Sequence, residues 1–111
     1  MPKTKIKTPQ PFDTVGFIMD FEGGEVSDKE LAIGFQHLIN SGEVWSLQGM
    51  YGRTASSLIQ NGYCMLGKYS TKDYYGNHIR SRDDSGDDIG SPAYVKEQHP
   101  EIFEALEEAG L

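Results

Sequence analysis

Cys64, His37, His78 and His99 are the side chains best suited to nucleophilic or metal chemistry, and their spacing serves neither. Zinc is held by three or four ligands at short helical or knuckle spacings, and the chain has no H-x-x-x-H or C-x-x-C. A thiol nucleophile requires a base within hydrogen-bond reach and a third group to orient it. His37 lies on a different segment from Cys64, and the nearest basic neighbour of Cys64 in sequence is Lys68. Asp83, Asp84, Asp87 and Asp88 enclose Ser85-Gly86. The order DDSGDD lacks the alternating ligands and distant glutamate of a calcium loop, so it reads as a solvated acidic turn. Gly-rich phosphate loops and nucleophile elbows are absent too. No catalytic residue, metal site or cofactor is expected.

Arg53 offers a different chemistry. It is the only Lys or Arg between Lys29 and Lys68, and Trp45, Gln48 and Tyr51 are close by in sequence. A guanidinium fork beside aromatic rings is a frequent anchor for a partner's carboxylate or phosphate. Arg53, Tyr51, Gln48 and Trp45 are therefore the candidate partner-binding residues. The competing account is structural: Tyr51 packs, Arg53 caps a helix end or pairs with Glu43, and the single tryptophan lies in the core.

The elements that must position these residues are written locally. Ser27 and Glu30 form an S-x-x-E capping box, with Val26 and Leu31 at the positions of a hydrophobic staple. The helix they start runs from Asp28 to about Asn40, with Leu31, Phe35, Leu38 and Ile39 on one stripe. Ser41-Gly42 ends it. After a turn carrying Val44, Trp45 and Leu47, a further helix is expected from Gly49 or Tyr51 to Asn61, with Tyr51, Ala55, Leu58 and Ile59 inward. Upstream, Asp13 caps TVGFIMDFE, where helix is favoured over buried strand because Glu22-Gly23-Gly24 supplies a stop. In that helix Val15, Ile18 and Met19 share one face, and Phe17 and Phe21 another.

Past Gly62 the texture changes. Tyr63-Cys64-Met65-Leu66 reads as a short extended apolar run, and Tyr74-Tyr75-Gly76-Asn77 as a turn around which a marginal hairpin could close. Arg80 to Ser91, rich in Gly and Asp, is expected to be a disordered loop. Ser91-Pro92 and His99-Pro100 each announce a helical turn, the second with Ile102, Phe103 and Leu106 inward. The fold class is therefore mainly α: a three-helix N-terminal core, an irregular and hairpin-containing middle, and a C-terminal helix. The divisions are a flexible basic arm (1–12), a helical core (13–66), an irregular polar segment (67–90) and a C-terminal helical segment (91–111).

Charge narrows the partners. The net charge is −7, with local excesses of three positive charges in 1–12 (Lys3, Lys5, Lys7) and in 63–82 (Lys68, Lys72, Arg80 and Arg82 against Asp73). An acidic surface repels phosphate backbones, so nucleic acid is an unfavoured partner. The capped helical pair invites comparison with a helix-turn-helix, but its second helix carries Arg53 as its only cation. No apolar run is long enough to span a bilayer, no secretory h-region follows the lysines, and one cysteine fits a reducing, intracellular setting.

The stretch with Phe35-Gln36-His37-Leu38-Ile39, Ser41-Gly42, Trp45, Leu47-Gln48-Gly49, Tyr51-Gly52-Arg53-Thr54-Ala55 and Leu58-Ile59 resembles a family of small uncharacterised proteins of tailed bacteriophages, including those of cyanobacteria. The likeness covers residues 14–64 and is looser at DYYGN and GSPAYV. It implies a phage accessory protein in the host cytoplasm and supplies no catalytic residues. The expected function is binding of a host or phage protein without catalysis. The alternatives are a nucleic-acid-binding regulator and a minor virion component, and a homo-oligomer is compatible with each.

Overall fold

The computed structural model describes residues 12–47 and 49–111. The basic arm up to residue 11, and Gln48, lie outside the described residues. Among the described residues, five α-helices and one two-stranded ribbon make a mainly α fold: α1 (Thr14–Glu22), α2 (Asp28–Ser41), α3 (Gly49–Gln60), β1 (Thr71–Lys72), β2 (His78–Ile79), α4 (Pro92–Gln98) and α5 (Pro100–Glu108).

The middle of the core is α2, and α1, α3 and α5 all pack on it. Its start is the expected box: Glu30 N donates to Ser27 Oγ (3.1 Å) and Ser27 N to Glu30 Oε1 (2.9 Å). Gly42 ends it at φ +83°, a conformation that L side chains rarely adopt. Phe35 and Leu38 are wholly buried, and so is Gln36. Across Gly34 lies Phe17 of α1, whose ring stands 2.0 Å from where a Cβ would be. The close approach of α1 and α2 therefore requires glycine at that position. Phe17 and Phe21 meet Phe35 edge-on, at 5.6 and 5.2 Å between centroids. The face of α1 carrying Val15 and Met19 points to solvent.

At the C-terminal end, Ser91 Oγ accepts from Tyr94 N (3.1 Å) and Pro92 opens α4. Pro100 opens α5, whose Ile102 and Leu106 are buried while Phe103 packs at the core's edge. The hairpin forms around the expected turn, with Thr71 opposite Ile79 and Lys72 opposite His78.

Two expectations for the middle of the chain need correction. Residues 63–66 form no strand; Cys64, Met65 and Leu66 are buried as irregular chain. Gln36 supplies the pairing that a neighbouring strand would give: its Oε1 accepts from Met65 N (2.7 Å) and its Nε2 donates to Met65 O (3.0 Å). The segment from Arg80 to Ser91, expected to be disordered, is folded onto the core. It contains a single 3-10 turn (Arg82–Ser85), and Ser81, Arg82, Ser85 and Ser91 are buried. The reason is Arg82, which donates from Nε to Leu66 O (2.9 Å), from Nη1 to Leu111 O (2.8 Å) and from Nη2 to Asn40 Oδ1 (2.8 Å).

Two stability measurements test this account. Ser27→Ala should cost about 1 kcal/mol in denaturant melts, the usual loss at an N-cap; equal midpoints would show that the box contributes nothing. Arg82→Leu should cost about 3 kcal/mol, because buried oxygens lose their donors, and Arg82→Lys should restore little, since an ammonium cannot reproduce the fork. Full rescue by lysine would reduce Arg82 to a point charge.

Candidate functional site

Helix α3 has two working faces. Tyr51, Ala55, Leu58 and Ile59 are buried in the core. Gly49, Gly52, Arg53 and Ser56 line an open cleft of about 650 Å³. Its near wall is the 3-10 turn Glu43–Ser46 and the residue that follows, which bring Trp45 and Leu47 to the rim. Its far wall is the β-hairpin, through Tyr74, Tyr75 and Ile79.

The hairpin tip is held in place by Asp73. Its Oδ1 accepts from Tyr75 N (2.9 Å) and Asn77 N (2.8 Å), and its Oδ2 from Asn77 Nδ2 (3.2 Å). These donors, the Asn77 amide foremost, hold its carboxyl below the usual carboxylate range. Gly76 at φ +84° closes the turn, and Tyr74 N donates to Trp45 O (3.1 Å), tying the tip to the opposite wall. Tyr74 and Tyr75 are left 77% and 84% exposed, an unusual disposition for two large rings beside a cleft.

The sequence-derived candidates separate. Arg53 and Trp45 line the cleft together. Trp45 is half-buried, packed against the core on one side and open to the cleft on the other. The Arg53 guanidinium lies back over Gly49, where an added Cβ would stand 2.8 Å from Nη1. Glu43, the partner considered for it, instead accepts from Ser41 Oγ (3.2 Å). Tyr51 must be withdrawn as a contact residue: it is only 3% exposed, stacks among Phe21 and Phe35, and donates its hydroxyl to Glu22. Gln48 lies outside the described residues. Tyr74, Tyr75 and Ile79 went unrecognised as a wall, although the Asp-Tyr-Tyr-Gly-Asn turn placed two aromatic rings at a hairpin tip.

Of the residues suited to chemistry, Cys64, His37 and His99 are engaged away from the cleft. Cys64 donates its S–H to Ala32 O (3.4 Å), and burial pushes its thiol well above the ordinary range. His37 stacks on Phe12 at 4.1 Å, and burial lowers its pKa. His99 stacks on Tyr63 at 3.9 Å, with Nε2 3.2 Å from Asn61 O. Among the described residues no group of three or more His, Cys, Asp or Glu side chains is placed to hold a metal ion.

Gly52 invites a mutational test. An added Cβ would meet only Trp45 Cε3, at 4.0 Å, so Gly52→Ala should raise stability by about 0.5–1 kcal/mol through helix propensity. A lower melting temperature would reveal a steric need that the distances do not show. Tyr51 generates an alkaline prediction. Burial, reinforced by the Glu22 carboxylate, pushes its phenol up to about 12. The folded state thus binds this proton more tightly than the unfolded chain does. Its contribution is complete below pH 10 and is lost as the pH rises towards 12. Tyrosinate absorbance should show a late step that Tyr51→Phe removes; an unchanged titration would contradict the buried hydrogen bond.

A family model described as a domain of unknown function, DUF7417, matches residues 13–72, more than half of the chain. No curated protein and no solved structure matches. The matched region holds α1 to α3 and β1, hence Trp45, Gly52 and Arg53, and stops just before Tyr74 and Tyr75. This chain belongs to the DUF7417 family.

Proposed function

We propose that this protein is a non-enzymatic accessory protein, of the kind that tailed bacteriophages carry, and that it acts in the host cytoplasm by seating part of a host or phage protein in the cleft between α3 and the hairpin. The observation that carries this reading is the cleft's composition: Trp45, Tyr74 and Tyr75 around an open floor, with Arg53 beside it. Aromatic rings and arginine are the side chains that most often carry binding energy at protein interfaces. The sequence likeness of residues 14–64 to phage proteins supports the setting. The net charge of −7 weighs against a phosphate backbone as the main partner. Among the described residues no helix is long and apolar enough to cross a membrane.

Affinity capture from infected cells, read by mass spectrometry and repeated with Arg53→Ala, tests the reading. Truncating an anchor of this kind often costs more than about 2 kcal/mol of affinity, and here the loss should come with an unchanged melting temperature. A large drop in melting temperature, with binding retained by the folded fraction, would make Arg53 scaffold and leave the cleft without its role. Tight, sequence-selective DNA binding at physiological salt would favour the regulator instead.

A further inference from the structure

Resting on that reading, we propose that the cleft is one end of a groove along the whole of α3, and that its occupant is an acidic segment of the partner, bound extended, with an apolar side chain at its centre. A second cavity of about 230 Å³ shares Trp45, Ser56 and Ile79 with the first and extends it to Gln60 and Arg80. The α3 residues facing the two cavities are 49, 52, 53, 56, 59 and 60, a single stripe at helical spacing. A twelve-residue helix is about 18 Å long, which accommodates roughly five residues of extended chain.

Charge sets the occupant's chemistry. The chain has 17 acidic against 10 basic residues, yet the groove reverses this balance. Its lining includes two guanidiniums, Arg53 towards one end and Arg80 towards the other, and one carboxylate, Asp73. Asp73 already accepts three hydrogen bonds from its own turn. Arg80 is held by two hydrogen bonds: Nε donates to Ser85 Oγ (3.1 Å) and Nη2 to Ile89 O (3.3 Å). An arginine carries five N–H donors, so a held guanidinium retains capacity for a carboxylate. Between the two cations lie Trp45 and Ile79, common to both cavities, with Tyr74 and Tyr75 at the rim. An acid–apolar–acid pattern matches that order.

The floor fits an approaching main chain. Gly52 and Ser56 leave the middle of α3 nearly bare, beside the Arg53 guanidinium that covers Gly49. At Gly52 the fold itself does not require glycine, as the 4.0 Å to Trp45 shows. A single strand of nucleic acid could also meet guanidiniums and aromatic rings, but the apolar lining from Val44, Leu47 and Ile79, in a strongly acidic protein, favours peptide.

The test uses the full-length protein and three probes: an array of hexapeptides with Glu or Asp at both ends and Trp, Phe or Leu inside, the same array with Lys at the ends, and fluorescein-labelled dT12. The acid-ended peptides should be retained at least tenfold more strongly than the lysine-ended ones. The best of them should weaken at least tenfold with Arg53→Gln or Arg80→Gln and in 0.5 M salt. Gly52→Leu should abolish retention with its melting temperature unchanged from the parent's, which separates a blocked groove from a lost fold. Equal retention of both arrays, no retention of either, or tighter binding of dT12 overturns the proposal. If the partner captured from cells depends on Arg53 while the arrays show no acidic preference, the acidic segment falls and the cleft reading stands. If capture is indifferent to Arg53 and to Gly52→Leu, both fall.

Discussion

Arg82 carries a full charge beneath the surface, where removal from water would be costly were its N–H groups not spent on oxygens that also need partners. Those oxygens come from three distant parts of the chain: Asn40 at the end of α2, Leu66 in the irregular run after α3, and Leu111 beyond α5. Asn40 Oδ1 also accepts from Gln36 Nε2 (3.1 Å), and Gln36 holds both main-chain groups of Met65. One connected polar network thus joins the end of α2, the irregular run after α3 and the residue after α5. Within such a network each donor satisfies an acceptor that would otherwise be buried alone, so removal of one member exposes the cost of several.

The groove depends on that network. A two-residue ribbon has almost no stability of its own, and this one is fixed at both ends by contacts outside itself. At its base, Arg82 N donates to Gly67 O (2.9 Å) while its side chain reaches the core; at its tip, Tyr74 N reaches Trp45 O. The hairpin is therefore held at a set distance from α3. Arg80, two residues before Arg82, is carried with it to the far end of the groove. A segment that looks like a polar loop is in this way the support for one wall of the cleft.

How much of this was legible in the sequence follows from range. The limits of α2, the stripe of α3, the hairpin turn and the two Ser/His-Pro helix starts depend on neighbours within four residues, and each was readable. The folding of residues 80–91 was not, because composition there points to solvent while the acceptors of Arg82 lie 16, 29 and 42 residues away. The misplacement of Tyr51 has another cause. Residues two apart on a helix point to nearly opposite sides, so Tyr51 and Arg53 could not share a patch once α3 was accepted. Helical phase, not proximity in sequence, decides which side chains share a face. Trp45 is half-buried, and it serves both the core and the cleft.

Helical glycines separate the demands of folding from those of the groove. At Gly34 a side chain is forbidden by Phe17 within the molecule itself, so the residue is explained by packing alone. At Gly52 nothing internal forbids one, yet a helix loses roughly 0.5–1 kcal/mol there relative to alanine. Stability of that size is commonly recoverable where function does not oppose it. Since the open side of Gly52 is the floor of the groove, a bare backbone there is what the proposed occupant would require of α3. Arg53 bends back over Gly49, where no side chain stands in its way, and this leaves the guanidinium at the end of the groove and the floor at Gly52 open.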